Sequence, residues 1–210
     1  MRGNRRLRGV ALASKATFPV MLLVASAVAG ATDFPISGTI VVNGQEGALP
    51  DGGAFAGSGY DAKTGAIAAG HFAFPTSTVS SGAVTVKYQL SQSGTSAGAV
   101  AADGIAALEP ASLKLAVLSA SYSGVPVPLG TCEFQPIAIE LAGTAAAGGL
   151  DLADAQFDIP PAPVGNCGAF RDPINSALSG SDNAISIHLG GDFMPPAGDD
   201  GIFGDGFDPR

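Results

Sequence analysis

Apolar and polar residues alternate strictly in several short segments, and this alternation constrains the fold more than any other feature of the chain. In Val84–Leu90 every even-numbered position is apolar, and Thr85, Lys87 and Gln89 lie between them. Three further segments alternate in the same way: Leu113–Val117, Ile137–Leu141 and Ile185–Leu189. A period of two places successive side chains on opposite faces of a β-strand. The pattern therefore predicts strands with one buried face and one solvated face.

Further strands are predicted at Ile36–Val42, Ile67–Phe74, Ile105–Leu108 and Ala155–Ile159. Clusters of Gly, Ser, Asn and Asp separate the strands at short intervals, as is typical of antiparallel sheets. The predicted fold class is all-β, an antiparallel β-sandwich or a flattened barrel.

One short helix is predicted at about 173–179. Asp172 is a suitable N-cap, Pro173 occupies the first helical position and Gly180 can end the helix. Ile174, Ala177 and Leu178 fall on one face. Because two turns are not stable alone in water, we expect this face to pack against the sheet.

The first 31 residues have the order of a cleavable secretory signal peptide. A basic segment is followed by an apolar run that ends in small residues at Ala31. The run is shorter than the roughly 20 residues of a spanning helix, so no transmembrane span is expected after cleavage. The predicted organisation is a signal peptide (1–31), a single β domain (32–193) and an acidic Gly/Pro-rich tail (194–210). The expected location is secreted or at the cell surface, with the periplasm as the alternative.

The charge of the chain argues against some classes of partner. Beyond residue 31 there are 18 acidic and five basic residues, a net charge of −13. Nucleic acid and anionic membrane surfaces both require clustered Lys and Arg, so neither is an expected partner.

Cys132 and Cys167 are the two cysteines of the chain. In an exported protein the default for such a pair is one intramolecular disulfide. A metal site or a reactive thiol is the alternative, but no His lies at ligand spacing from either cysteine.

No residue pattern selects a catalytic site. Gly94–Gly98 matches the Gly-x-Ser-x-Gly motif, which requires a strand-to-helix turn and a later Asp and His. The flanks show no helix, so a flexible loop is the preferred interpretation. His71 and His188 both fall on the polar side of their strands. The clustered aspartates do not follow the EF-hand pattern, and neither a metal nor a cofactor is predicted.

Part of the chain resembles a group of uncharacterised secreted β proteins from bacteria. The residues that carry the resemblance are Phe157-Asp158-Ile159-Pro160, Cys167-Gly168, Ile174-Asn175, Leu178-Ser179-Gly180, Asn183 and Ile185–Leu189. Those proteins pair a first Cys with a second Cys-Gly that precedes a short helix. The resemblance covers about 84–190 and implies a fold, but no activity.

The C-terminal segment resembles a short terminal tag of exported proteins from Gram-negative bacteria related to xanthomonads. That tag reads Ile-Phe-x-x-Gly-Phe-Glu, and the residues expected to be recognised here are Ile202, Phe203, Gly206 and Phe207. Asp208 departs from the pattern. The resemblance implies sorting or surface retention, and an incidental apolar tail is the alternative.

These observations favour an exported, non-enzymatic β-sandwich that acts as an interaction module for an unknown extracellular or cell-surface ligand. Two alternatives stay open. One is a secreted hydrolase that uses carboxylates or Ser96, and the other is a β-barrel that binds an apolar ligand.

Overall fold

The computed structural model describes residues 32–197, which form antiparallel strands and one α-helix. The strands are β1 (Thr32–Val42), β2 (Gln45–Ala48), β3 (Gly53–Ser58), β4 (Tyr60–Asp61), β5 (Ala66–Ala73), β6 (Ser77–Ser81), β7 (Val84–Ser93), β8 (Ser96–Val100), β9 (Ile105–Leu108), β10 (Ala111–Tyr122), β11 (Val125–Val127), β12 (Glu133–Ile139), β13 (Ala142–Ala146), β14 (Gly149–Ile159) and β15 (Gly180–Gly190). The predicted signal peptide and the tail positions 198–210, with Ile202, Phe203, Gly206 and Phe207, lie outside the described residues.

Eight strands close into an antiparallel barrel, in the order β5-β3-β1-β15-β14-β13-β9-β8. The ring closes where Ala66, Ile67 and Gly70 of β5 pair with β8. The all-β antiparallel prediction is confirmed, and the choice left open between sandwich and barrel falls to a closed barrel with additional outer strands.

The outer strands branch from the end of β5. Ala73 of β5 pairs with Ser91 of β7, and β7 continues the sheet to β10 and β12. Five strands, β5-β3-β1-β15-β14, therefore form a continuous wall. The opposite wall has two parts, β8-β9-β13 and β7-β10-β12, each in ladder contact with the continuous wall at β5.

The interior is filled by the apolar positions that the alternation predicts. In β7 the buried side chains are Val86, Tyr88 and Leu90, and in β15 Ile185, Ile187 and Leu189 are buried. The largest fully buried side chains come from both walls and from the helix: Phe55, Phe72, Phe134, Ile67, Leu113, Leu115, Ile137, Ile139, Leu141, Leu150, Leu152 and Ile174. Bulky aromatic and branched side chains thus occupy the interior, as in other small barrels.

Helix α1 (Arg171–Leu178) follows a 3-10 turn at Gly168–Phe170. The predicted helix and its buried face of Ile174, Ala177 and Leu178 are confirmed. The predicted N-cap is wrong: Phe170 is the capping residue, without a side-chain hydrogen bond. The 3-10 turn leads the chain directly into the helix, so Asp172 falls within the first turn.

The disulfide predicted between Cys132 and Cys167 is present. Cys132 lies just before β12, and Cys167 directly precedes the 3-10 turn that leads into α1. Both residues are buried, and the N–H of Cys167 donates to the carbonyl of Thr131. The bridge therefore joins the helical segment to the outer part of the sheet.

Candidate functional site

Two tight hairpins border a gap in the barrel wall. The turn between β1 and β2 is Asn43-Gly44, with φ of 47° and 75°, which is the arrangement of a type I′ hairpin. The turn between β6 and β7 is Gly82-Ala83, with Gly82 at φ 58°. Past the N-terminal end of β3, β2 therefore lies on the β1 side of this gap and β6 lies on the β7 side.

Both strands leave one edge free. Within residues 32–197, β2 pairs with β1 alone and β6 pairs with β7 alone. In an antiparallel pair every second residue turns its N–H and C=O away from its partner. Counting from the two-residue turns, these residues are Glu46 and Ala48 in β2, and Thr78 and Ser80 in β6.

A cleft of about 360 Å³ lies between these two edges. Its apolar floor is formed by Ile40, Val42 and Tyr88 of the core. Its rim carries the polar groups, with side chains of Gln45, Glu46, Thr76, Ser77, Thr78 and Ser80. Among the described residues, the cleft therefore combines an apolar base with hydroxyl groups and two unpaired strand edges.

Tyr88 is the titratable group in the floor of this cleft. Burial raises the pKa of its phenol above the ordinary value of 10.0, while a hydrogen bond with the Ser77 side chain acts in the opposite direction. The neutral phenol is thus the form that the folded protein favours.

We expect this burial to appear in the alkaline stability of the protein. The folded state retains the Tyr88 proton at pH values where the unfolded chain loses it, so the free energy of unfolding falls as pH rises above about 10. Urea unfolding between pH 8 and 11, with absorbance at 295 nm to follow ionisation, measures this. Tyr88→Phe should flatten the decline. Tyr122→Phe is the control, since the Tyr122 side chain is exposed. An equal decline in wild type and Tyr88→Phe would contradict the prediction.

A second polar site lies on the outer face of the barrel, where Asp151 and His188 are direct neighbours across β14 and β15. Nδ1 of His188 lies 2.7 Å from Oδ1 of Asp151. Gly149 makes room for the ring, because a Cβ at that position would lie 2.8 Å from its Cε1 and Nε2 atoms. No local sequence pattern indicates this pair, since its two members are 37 residues apart and only the strand register joins them.

Ser37 lies opposite His188 on the other neighbouring strand, β1. A serine, a histidine and an aspartate thus share one line across three strands. The imidazole, however, is turned toward β14 and rests against Gly149. Its free nitrogen therefore does not face Ser37, and the three residues do not form the relay that activates a serine.

The other candidate residues predicted from the sequence, Ser96 and His71, do not lie next to His188. Ser96 is fully buried and accepts a hydrogen bond from Nε2 of Gln92 at 2.9 Å. Ser96–Val100 is strand β8, so the flexible loop predicted for Gly94–Gly98 is wrong: ladders with β5 and β9 order this segment. His71 is exposed as predicted, but three strand intervals, about 14 Å, separate β5 from His188.

An acidic groove of about 590 Å³ lies between β12 and β14, which are adjacent without a continuous ladder. Asp154 in this groove accepts the N–H groups of Glu140 at 2.8 Å and Gln156 at 3.1 Å. The carboxylate therefore satisfies backbone donors at a bulge of β14. Among the described residues, no group of three or more His, Cys, Asp or Glu side chains is placed to hold a metal ion.

The chain matches no protein-family model, and comparisons with curated proteins and with solved structures find no significant match. Within residues 32–197, no helix combines the length and apolar character that are needed to cross a membrane.

Proposed function

We propose that the protein is an exported, non-enzymatic interaction module that binds an extended segment of another polypeptide along the free edge of β6. The observation that carries this proposal is a cleft with an apolar floor between two strand edges, β2 and β6, that no residue of 32–197 pairs with. Extended peptides bind to such edges by adding a strand, and backbone hydrogen bonds supply much of the affinity.

One added strand fits between β2 and β6 only if these two edges move further apart. Some Cα atoms of β2 and β6 lie within 8 Å of each other. Two sheet neighbours lie about 4.8 Å apart, so a strand between β2 and β6 requires a separation near 9.6 Å. β2 would move outward by at least about 2 Å. All four of its residues are exposed, so this movement disturbs little core packing.

Export is supported by the signal-like leader and is consistent with the disulfide, which forms and persists in oxidising compartments. The ligand is therefore expected outside the cytoplasm. The apolar C-terminal residues Ile202, Phe203, Gly206 and Phe207 are proposed to serve sorting or surface retention rather than binding of this ligand.

A proline at the edge of β6 tests the binding mode. Thr78→Pro removes one N–H from the free edge, and prolines are tolerated on edge strands. Peptides selected from a random displayed library on the wild-type protein should bind Thr78→Pro at least tenfold more weakly. They should bind Thr78→Ala, the matched control that keeps the N–H, with unchanged affinity.

Two further results would decide the matter. Peptides N-methylated at alternate positions should lose binding in both registers, because a strand between the two edges turns one alternate set of N–H groups toward β6 and the other toward β2. Ala48→Pro, on the opposite edge, provides a second variant if Thr78→Pro does not fold. Selected peptides that bind all variants equally would refute strand addition.

A secreted hydrolase is the second candidate function, and the hydrogen-bonded pair of His188 and Asp151 is the observation that favours it. A carboxylate that orients an imidazole is a common part of general-base sites. If this candidate were correct, ester or peptide turnover by the protein would fall at least a hundredfold in His188→Ala and remain in His71→Ala.

A further inference from the structure

A small recess lies where the described chain ends. It is lined by Ala145–Gly148 at the β13–β14 turn and by Asp192–Pro195, and its volume is about 330 Å³. The surrounding surface is unusually apolar for an exposed position. Met194 is 65% exposed and Ile105 is 56% exposed. Gly104, the residue before Ile105, lies beside Pro195. Exposed apolar groups that adjoin a recess commonly mark a contact surface.

The direction in which the chain leaves this recess is fixed by packing. The ring of Phe193 contacts Phe34 and Tyr60, with centroid distances of 4.8 and 5.1 Å. The Tyr60 hydroxyl donates to the carbonyl of Met194. Pro196 lies beside Gly65, 3.2 Å from where a Cβ would be. The last described residues are therefore held in place next to the recess.

The sequence that follows residue 197 contains turn-forming residues and then apolar residues, a composition compatible with contact to the recess. Gly198-Asp199-Asp200-Gly201 comes first and contains residues typical of tight turns. Ile202, Phe203 and Phe207 come next, in a segment that is otherwise acidic and glycine-rich. We propose that residues 202–207 dock in the recess of their own molecule and cover Met194 and Ile105.

The length of the tail allows it to contact this recess but not the cleft between β2 and β6. Phe203 is six residues beyond Ala197, which allows about 20 Å of extended chain. The recess borders Pro195 itself, so it is within reach. Strand β5 separates Gly65, beside Pro196, from Thr76 at the cleft, and its eight extended residues alone span about 25 Å. Phe203 therefore reaches the recess but not the cleft of its own molecule.

Docking would conceal the apolar tail residues from any factor that recognises them. Asp192 is the charged side chain at the recess, and residues 198–210 carry four aspartates and one basic residue, Arg210. The repulsion among the carboxylates opposes docking, and salt screens it. Apolar burial must therefore supply the attraction, and the tail should be held more firmly at high ionic strength.

Cysteine pairing in the full chain tests the proposal. Ala146 is exposed, so Ala146→Cys should be tolerated. After mild oxidation, Ala146→Cys with Gly204→Cys, which keeps Ile202, Phe203 and Phe207, should form a new intramolecular disulfide in most molecules, identified by peptide mass mapping. Ser80→Cys with Gly204→Cys is the control, because Ser80 lies on the cleft, and it should yield at least fivefold less.

Protease access provides an independent measurement. Ala146→Asp places a charge in the recess, so chymotrypsin should cleave after Phe203 at least fivefold faster than in the control Ser80→Asp. Equal pairing in both cysteine variants, cross-linked dimers alone, or equal cleavage rates would overturn intramolecular docking. None of these measurements depends on peptide binding at β6, so the two proposals fail separately.

Discussion

Replacing both Cys132 and Cys167 by alanine is expected to lower the free energy of unfolding by about 4 kcal/mol. The two residues are 35 positions apart, and closing a loop of that length restricts the unfolded chain by about this amount in the chain-entropy model. The unfolding temperature should fall by about 8–15 °C for a protein of this size. Urea unfolding followed by circular dichroism measures both quantities.

The location of the disulfide predicts which segment loses stability first when the bridge is removed. Cys167 directly precedes the turn that leads into α1, so amide exchange should accelerate in α1 before it accelerates in β1 or β15. Wild-type protein treated with reductant is the matched control and should resemble the double variant. A loss below 1 kcal/mol would mean that packing alone restrains the helical segment.

Asn183→Ala is expected to destabilise the protein by about 3 kcal/mol or more. Asn183 is buried, and its side chain holds three backbone groups. It accepts the N–H of Asn43 at 2.8 Å and donates to the carbonyls of Phe157 at 3.0 Å and Gly180 at 2.7 Å. Alanine leaves these groups without a partner, at about 1 kcal/mol or more for each.

The effect should extend to the ends of three elements. Asn43 lies in the β1–β2 turn and its side chain donates to the carbonyl of Ser176 in α1, so the turn, the helix and β15 lose a common anchor. Urea unfolding of Asn183→Ala and of the control Asp182→Ala, an exposed neighbour, provides the comparison. The control should change stability by less than about 0.5 kcal/mol. Equal losses in the two variants would refute the anchoring role.

The alternation of apolar residues was sufficient to predict the long strands. Ile105–Leu108 has the predicted bounds, and Ile36–Val42 lies within β1. The strands that were missed, such as β3 and β8, consist largely of Gly, Ala and Ser. Such residues offer no contrast between a buried and a solvated face, and these strands form because neighbouring ladders require them.

The candidate site was beyond prediction for a related reason. The cleft depends on which strands stop short beside β1 and β7, and the pair of Asp151 with His188 depends on the register between β14 and β15. Neither is a property of local sequence. Alternation indicates that a strand has two faces, but it does not identify the neighbour of each edge.

The pairing of β1 with β15 has a consequence for the order of folding. The first and the last strand of the described chain are neighbours in the middle of the continuous wall, with Ile36 opposite Leu189. A chain that emerges from its N-terminus, from a ribosome or through a membrane channel, lacks this central ladder until Leu189 has emerged. Such contacts between distant residues also make folding slow. The barrel is thus completed only after nearly the whole described chain is free.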